Sequence, residues 1–176
     1  MIRYYVTDRS QGDVLASAER AIRDHVNMIQ IREKDLPGRQ LFDLVCRVRD
    51  LASGTSTRVL VNDRLDVALG AGVDGVHLPS IGLPAARVRP FVKLLGVSVH
   101  TLEEALAAEA AAVDFIVFGP VFETPGKRAV GLEPLRTVAS ALKIPVLAIG
   151  GITLKNAPAV MSAGASGIAG IRLFQA

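Results

Sequence analysis

The feature that most constrains this chain is a recurrence. Eight short apolar runs are spread along it, each followed by a polar or glycine-containing stretch: Ile2–Thr7, Met28–Arg32, Arg58–Asn62, Gly75–Leu78, Leu94–Val99, Phe115–Phe118, Val146–Ile149 and Gly167–Ile171. The runs are continuously apolar rather than alternating, the pattern of parallel strands covered by helices. Helical period fills the segments between them. Leu41, Leu44, Val45, Val48 and Leu51 fall on one helical face. Thr101 and Glu104 form a capping box that opens a helix, Leu135–Leu142 reads as another, and Asn156 reads as the cap of a helix running to Ala163.

The recurrence carries a weak internal repeat. "ALGAGVDGVHL" at 68–78, "AAEAAAVDFIVFG" at 107–119 and "VMSAGASGIAGI" at 160–171 share one form: a helix end, a small-residue turn, an Asp or Ser, then a strand. Repeated units of this kind imply alternating β and α elements, and eight of them imply an α/β (β/α)8 TIM barrel. With 176 residues, half of them hydrophobic and 21% charged, the chain suits one well-buried domain spanning 1–176. Only Leu173–Ala176 follow the eighth run, so the expected barrel is compact, with its last helix missing or truncated.

Several function classes drop out. The net charge of +3 is spread along the chain, with no Lys/Arg run and no aromatic–basic interleaving, which argues against nucleic-acid binding. The single cysteine, Cys46, excludes an internal disulfide, and Leu44, Val45 and Val48 around it mark a small buried hydrophobe. No signal-peptide pattern opens the chain and no uncharged apolar run reaches membrane-spanning length. The expectation is a soluble, cytoplasmic protein with no membrane partner. A barrel flank left without its last helix would favour homo-oligomer formation.

In such barrels function gathers at the C-terminal ends of the strands. Those positions hold Thr7 and Asp8; Gln30, Arg32 and Lys34; Asn62, Asp63 and Arg64; His77 and Ser80; Ser98 and His100; Glu123, Thr124, Gly126 and Lys127; Gly150 and Gly151; and Gly170, Ile171 and Arg172. The set is polar and mostly cationic in an otherwise apolar chain, which suits a small anionic substrate. The Gly150-Gly151 turn and the Gly170–Arg172 end occupy the usual phosphate position of such barrels, where glycines let backbone N–H groups approach phosphate oxygens. His100 is placed to act as a general acid or base near neutral pH, whereas His77 reads as a packed core residue and His25 as a surface one. No His/Cys/carboxylate spacing resembles a zinc site, and neither a Walker loop nor GxGxxG is present.

Taken in order, the segments Tyr5–Asp8, Gln30–Lys34, Val61–Asp66, Asp74–His77, Gly96–Thr101, Gly119–Thr124 with Lys127, Ala148–Ile152 and Ala163–Ile168 resemble the thiamin phosphate synthase/TenI family. The resemblance covers nearly the whole chain and implies a (β/α)8 barrel acting on a thiazole phosphate. In the family's synthases, a pyrimidine pyrophosphate loses pyrophosphate and the thiazole nitrogen captures the resulting cation. Gln30, Arg32, Lys34, Asn62, Asp63 and Lys127 match the residues that grip the pyrophosphate and its Mg2+, and Thr124 stands with them. Ser98 matches a pyrimidine-side position, and Gly151, Ile171 and Arg172 match the thiazole-phosphate cup. On this pattern Arg32 and Lys34 face the pocket, while Glu33 and Asp35 face away.

Two departures bear on the activity. Gly82 stands where the synthases carry an acidic metal ligand, leaving Asp63 alone as a poor Mg2+ site. Gly126 stands where they tend to carry a second Thr. Both favour the family's other activity, TenI-type thiazole tautomerisation, a metal-free proton transfer for which a histidine at the His100 position is the acid/base. The expectation is therefore a tautomerase needing no cofactor. The alternatives are a Mg2+-dependent synthase with Asp63 as metal ligand, and a non-catalytic thiazole-phosphate binder.

Overall fold

The computed structural model describes residues 1–174. Eight parallel strands pair in chain order and close β8 onto β1. They are β1 (Ile2–Val6), β2 (Met28–Ile31), β3 (Arg58–Asn62), β4 (Gly75–Leu78), β5 (Leu94–Val99), β6 (Phe115–Phe118), β7 (Val146–Ala148) and β8 (Gly167–Gly170). Seven helices alternate with them: α1 (Val14–Arg23), α2 (Gly38–Ala52), α3 (Leu65–Ala71), α4 (Ala85–Val88), α5 (Leu102–Ala110), α6 (Leu132–Ala141) and α7 (Ala157–Ser162). The expected (β/α)8 barrel is the observed fold. After β8 comes a 3-10 turn, Arg172–Phe174. Phe174 packs on Tyr5 at a ring separation of 6.3 Å, beneath the Arg3 guanidinium. Of the expected Leu173–Ala176 tail, Gln175 and Ala176 lie outside the described residues.

The strands sort their side chains by parity. One set faces the helices and forms the larger core, including Ile29, Ile31, Val59, Val61, Ile116 and Phe118. The other set, Tyr4, Met28, Leu60, Phe115, Val117, Leu147 and Ala169, fills the barrel interior. Carried to the strand ends, this inward parity reaches Gln30, Arg32, Asn62, His77, Ser98 and His100. The interior is tight: a Cβ on Gly96 would lie 2.3 Å from the Phe115 ring.

The internal repeat has a physical basis at the N-terminal end of the barrel. Four helices end in a Schellman-type turn: Val26, Val73, Val113 and Ala165 each donate their N–H five residues back, to Ala21, Ala68, Ala108 and Val160. The residue before each is left-handed, at φ +56 for His25, +65 for Gly72, +57 for Ala112 and +96 for Gly164. The residue after each returns to the sheet. Asn27 Oδ1 accepts the Arg3 N–H at 2.8 Å, Asp74 the Val59 N–H at 2.8 Å, and Asp114 the Leu95 N–H at 2.6 Å. Arg58 and Arg89 pair with Asp74 and Asp114. These polar side chains satisfy strand N–H groups that begin the ladder.

Three expectations need correction. Leu51 is exposed and Ala52 takes the buried place on α2, because the helix turns 3.6 residues per turn and residue 52 follows Val48 by four. Cys46 is only half-buried. Asn156 stands at the start of α7 but makes no side-chain capping bond there.

Candidate active site

The stretch after β2 divides its four charges between two tasks. Gln30 is buried, and its amide donates to the Tyr4 hydroxyl at 3.0 Å. Burial keeps that phenol protonated, pushing its pKa far above the usual range. Arg32 has no carboxylate partner among the described residues, and its charge lies near enough to His77 to disfavour protonation of that ring. Desolvation is the larger cause, and together they pull the His77 pKa down to about 3.

Glu33 turns the opposite way and is only 5% exposed. It accepts the Thr7 hydroxyl at 2.5 Å and the Arg9 N–H at 3.1 Å. The same Thr7 oxygen accepts the Arg32 N–H at 2.9 Å. Asp35 pairs with Arg9 on the surface. Glu33 and Asp35 thus tie the β1 loop to β2 and fix the backbone that carries Arg32. The family resemblance implied that Glu33 faces away but gave no sign of its burial, because its partners lie 24 to 26 residues away.

Asn62 ends β3 and pairs in register with His77. Asp63 is left-handed, at φ +60, a conformation that Asp tolerates better than most residues. Its N–H still donates to the His77 carbonyl at 2.9 Å. Gly82 lies directly across from it, since a Cβ there would stand 2.9 Å from Asp63 Oδ1. A side chain at position 82 would therefore meet the Asp63 carboxylate. No cluster of three or more His, Cys, Asp or Glu side chains suited to a metal occurs among the described residues. Arg64 turns away to pair with Asp66, whose pKa it lowers to about 2.

On β5, Ser98 Oγ lies 2.8 Å from Nε2 of His77. His100 follows at the mouth. Its Nδ1 lies 2.6 Å from the Gly119 carbonyl, so Nδ1 carries a proton, and in the neutral ring Nε2 keeps the lone pair. The capping box holds the residue in place: Thr101 Oγ1 accepts the Glu104 N–H at 3.1 Å, and Glu104 accepts the His100 N–H at 2.6 Å. The ring is thus bonded to backbone through Nδ1, with no hydrogen-bond partner for Nε2 among the described residues.

The β7–β8 side of the mouth is made of backbone. Gly150 and Gly151 have φ of +96 and +62. A Cβ on Gly150 would lie 2.4 Å from Pro120, and one on Gly151 2.7 Å from Phe122. Asn156 belongs here rather than to its helix. Its Oδ1 accepts the Thr153 N–H at 2.8 Å and its Nδ2 donates to the Gly151 carbonyl at 2.9 Å, which braces the loop. The sequence offered no signal for this beyond an Asn close to a Gly-Gly turn. Gly170 pairs with Tyr5, Ile171 follows it, and Arg172 is exposed in the last turn. Beyond β6, Thr124 and Lys127 close a tight turn through the Lys127 N–H to the Thr124 carbonyl at 2.9 Å, with Lys127 exposed.

A closed sheet of eight parallel strands with helices between them is a (β/α)8 TIM barrel. Comparison with known proteins narrows the class. A family model described as Thiamine monophosphate synthase matches residues 3–174, and the chain belongs to that family. A Geobacter sulfurreducens protein is 46% identical over 176 residues, covering 94% of this chain and 83% of its own, and is provisionally named a thiamine-phosphate synthase. A Desulfitobacterium hafniense thiamine-phosphate synthase is 38% identical, covering 94% and 84%. The solved thiamine phosphate pyrophosphorylase of Pyrococcus furiosus superposes with a TM-score of 0.93 at 37% identity, covering 99% of this chain and 88% of its own. No helix among the described residues is long and apolar enough to cross a membrane.

Proposed function

We propose that this protein is a thiamin phosphate synthase, joining hydroxymethylpyrimidine pyrophosphate to thiazole phosphate with release of pyrophosphate. This reverses the preference drawn from the sequence. The relatives named above weigh toward the synthase, and one observation carries the reading: Arg32 stands at the barrel mouth on a backbone pinned by Thr7 and Glu33, with no carboxylate among the described residues to neutralise it. A proton transfer on a thiazole expels no anion, so no new negative charge grows opposite such a cation. A departing pyrophosphate makes use of it, because negative charge grows on the leaving group as the bond breaks.

The methylene C–O bond breaks with its electron pair going to pyrophosphate, and the thiazole nitrogen lone pair forms the new C–N bond. Arg32, Lys34 and Lys127 hold the leaving group, with Gln30, Asn62 and Thr124 around it. Ser98 meets the pyrimidine. The backbone of Gly150, Gly151, Gly170, Ile171 and Arg172 takes the thiazole phosphate. Asp63 would offer Mg2+ one carboxylate; alone that is a weak site, and the pyrophosphate oxygens and water would complete it, since this ion binds through one or two carboxylates plus substrate phosphates. When bound, it supplies further charge neutralisation to the leaving group.

The tautomerase remains the second reading, favoured by the open Nε2 of His100 and by Gly82 opposite Asp63. A paired assay separates the two. Purified protein with both synthase substrates and Mg2+ should yield thiamin phosphate. Metal-free aromatisation of thiazole carboxylate phosphate, with no thiamin phosphate from the synthase substrates, would overturn the synthase assignment. Lys127→Ala should damage the first reaction far more than the second.

A further inference from the structure

His77 lies on the inner wall of the barrel beneath Ser98, 2% exposed, with Tyr4 and Phe115 at ring separations of 5.7 and 5.9 Å. Its two nitrogens meet different surroundings. Nε2 is 2.8 Å from Ser98 Oγ. Nδ1 is buried with no hydrogen-bond partner and faces Gly96, where a Cβ would stand 2.8 Å away. A neutral ring has one proton to place. On Nδ1 it would be a buried N–H donor with no acceptor, an omission that folded proteins rarely tolerate. A doubly protonated ring would keep that orphan and add a second cation near Arg32. On Nε2 the proton points at Ser98.

We infer that His77 is a positioning residue that donates from Nε2 to Ser98 Oγ, so that the Ser98 hydroxyl presents its own proton to the mouth and selects a ligand with a lone-pair acceptor there. A hydroxyl has one proton, and a neighbour that donates to its oxygen leaves that proton free for another partner. No acceptor for it is present among the described residues. An aromatic ring nitrogen satisfies the site, whereas a ring N–H or an amine would meet donor against donor. This deepens the synthase reading and rests on it only for the identity of the ring.

The test has two arms. The first is long-range proton–nitrogen correlation on the full chain with nitrogen-15 histidine at neutral pH. His25→Gln and His100→Gln remove the other two imidazoles from the spectrum, so the buried ring is never altered. A proton on Nε2 and a bare Nδ1 are expected; a proton on Nδ1, or on both, overturns the inference. This arm needs no turnover, so a protein inactive in the synthase assay can still pass or fail it. The second arm is calorimetric binding to wild type and Ser98→Ala. Hydroxymethylpyrimidine pyrophosphate should bind about tenfold more weakly to the variant, while inorganic pyrophosphate should bind both equally. Equal losses for the two ligands, or none for either, would overturn the ligand selection.

Discussion

The two ends of the barrel treat charge in opposite ways. At the N-terminal end, Asp74 and Asp114 each accept a strand N–H and pair with an arginine, at 2.9 Å for Arg58 and 2.6 Å for Arg89. At the C-terminal mouth, Arg32, Lys34, Lys127 and Arg172 have no carboxylate partner among the described residues. Of the anions nearby, Glu33 goes to Thr7 and Arg9, Asp35 to Arg9, Asp66 to Arg64 and Glu104 to the His100 backbone, while Asp63 stands opposite Gly82. The difference teaches where each function resides. Charges at one end hold the ladder closed; the four cations at the other are those that the proposed function sets against a pyrophosphate, in line with the division of labour in TIM barrels.

The largest expected effect breaks the mouth and leaves the other end alone. Arg32→Gln should lower kcat/KM for thiamin phosphate formation about 100-fold, or about 2.7 kcal/mol of transition-state stabilisation. Thermal stability should hold or rise slightly, since an unpaired cation beside a buried ring is removed. A large fall in melting temperature with turnover intact would mean that Arg32 is structural and the comparison false.

Asp114→Ala attacks the opposite end. It removes the acceptor of the Leu95 N–H and the partner of Arg89. A hydrogen bond to a charged group is worth about 2 kcal/mol, which urea unfolding should register. Steady-state turnover at a temperature where the variant is folded should be close to wild type. Loss of activity in a folded variant would show that the two ends are coupled.

His77 lies between the ends and links stability to pH. Its folded pKa of about 3 is below the unfolded value of 6.5, so the unfolded state binds the extra proton as pH falls. Its stabilising contribution is whole above pH 6.5 and is lost toward about 3, with a slope of about 1.4 kcal/mol per pH unit. Unfolding of wild type and His77→Phe, compared at pH 7 and pH 5, should show the weaker acid sensitivity in the variant. Parallel curves would sink the assignment.

These contrasts mark how far the sequence carried. The strands were legible because eight buried parallel strands give apolar runs that nothing else in the chain imitates; Arg58–Asn62, Gly75–Leu78, Leu94–Val99 and Phe115–Phe118 stand as expected, and the other four end one residue early. The mouth was legible as a list, since strand ends are local features. Its wiring was not. The Glu33–Thr7, His77–Ser98 and His100–Gly119 contacts join residues 19 to 26 apart, and no local pattern encodes them. Asn156 misled because an Asn before a helix reads as a cap, while the nearby Gly151 carbonyl and Thr153 N–H compete for the same side chain. The repeat was seen in three copies and missed in the fourth, His25-Val26-Asn27, because a histidine stands where small residues were sought.

That fourth copy leads to the smallest effect. The turn residue is left-handed in all four units, which costs an L side chain and suits glycine. Two units use glycine, and two hold His25 and Ala112 at nearly the same φ as Gly72. Position 72 is open, with nothing within 4 Å of an added Cβ, so the backbone alone decides the outcome there. Gly72→Ala should therefore destabilise by about 1 kcal/mol, and Ala112→Gly should stabilise by a similar amount, the left-handed strain outweighing the opposing unfolded-chain entropy at both. Opposite signs in urea unfolding, with kcat/KM unchanged in both, would show that the turns at this end bear on stability without reaching the mouth. Equal signs would mean that tertiary contacts of Ala112 outweigh its backbone strain, and the four turns would not then be equivalent.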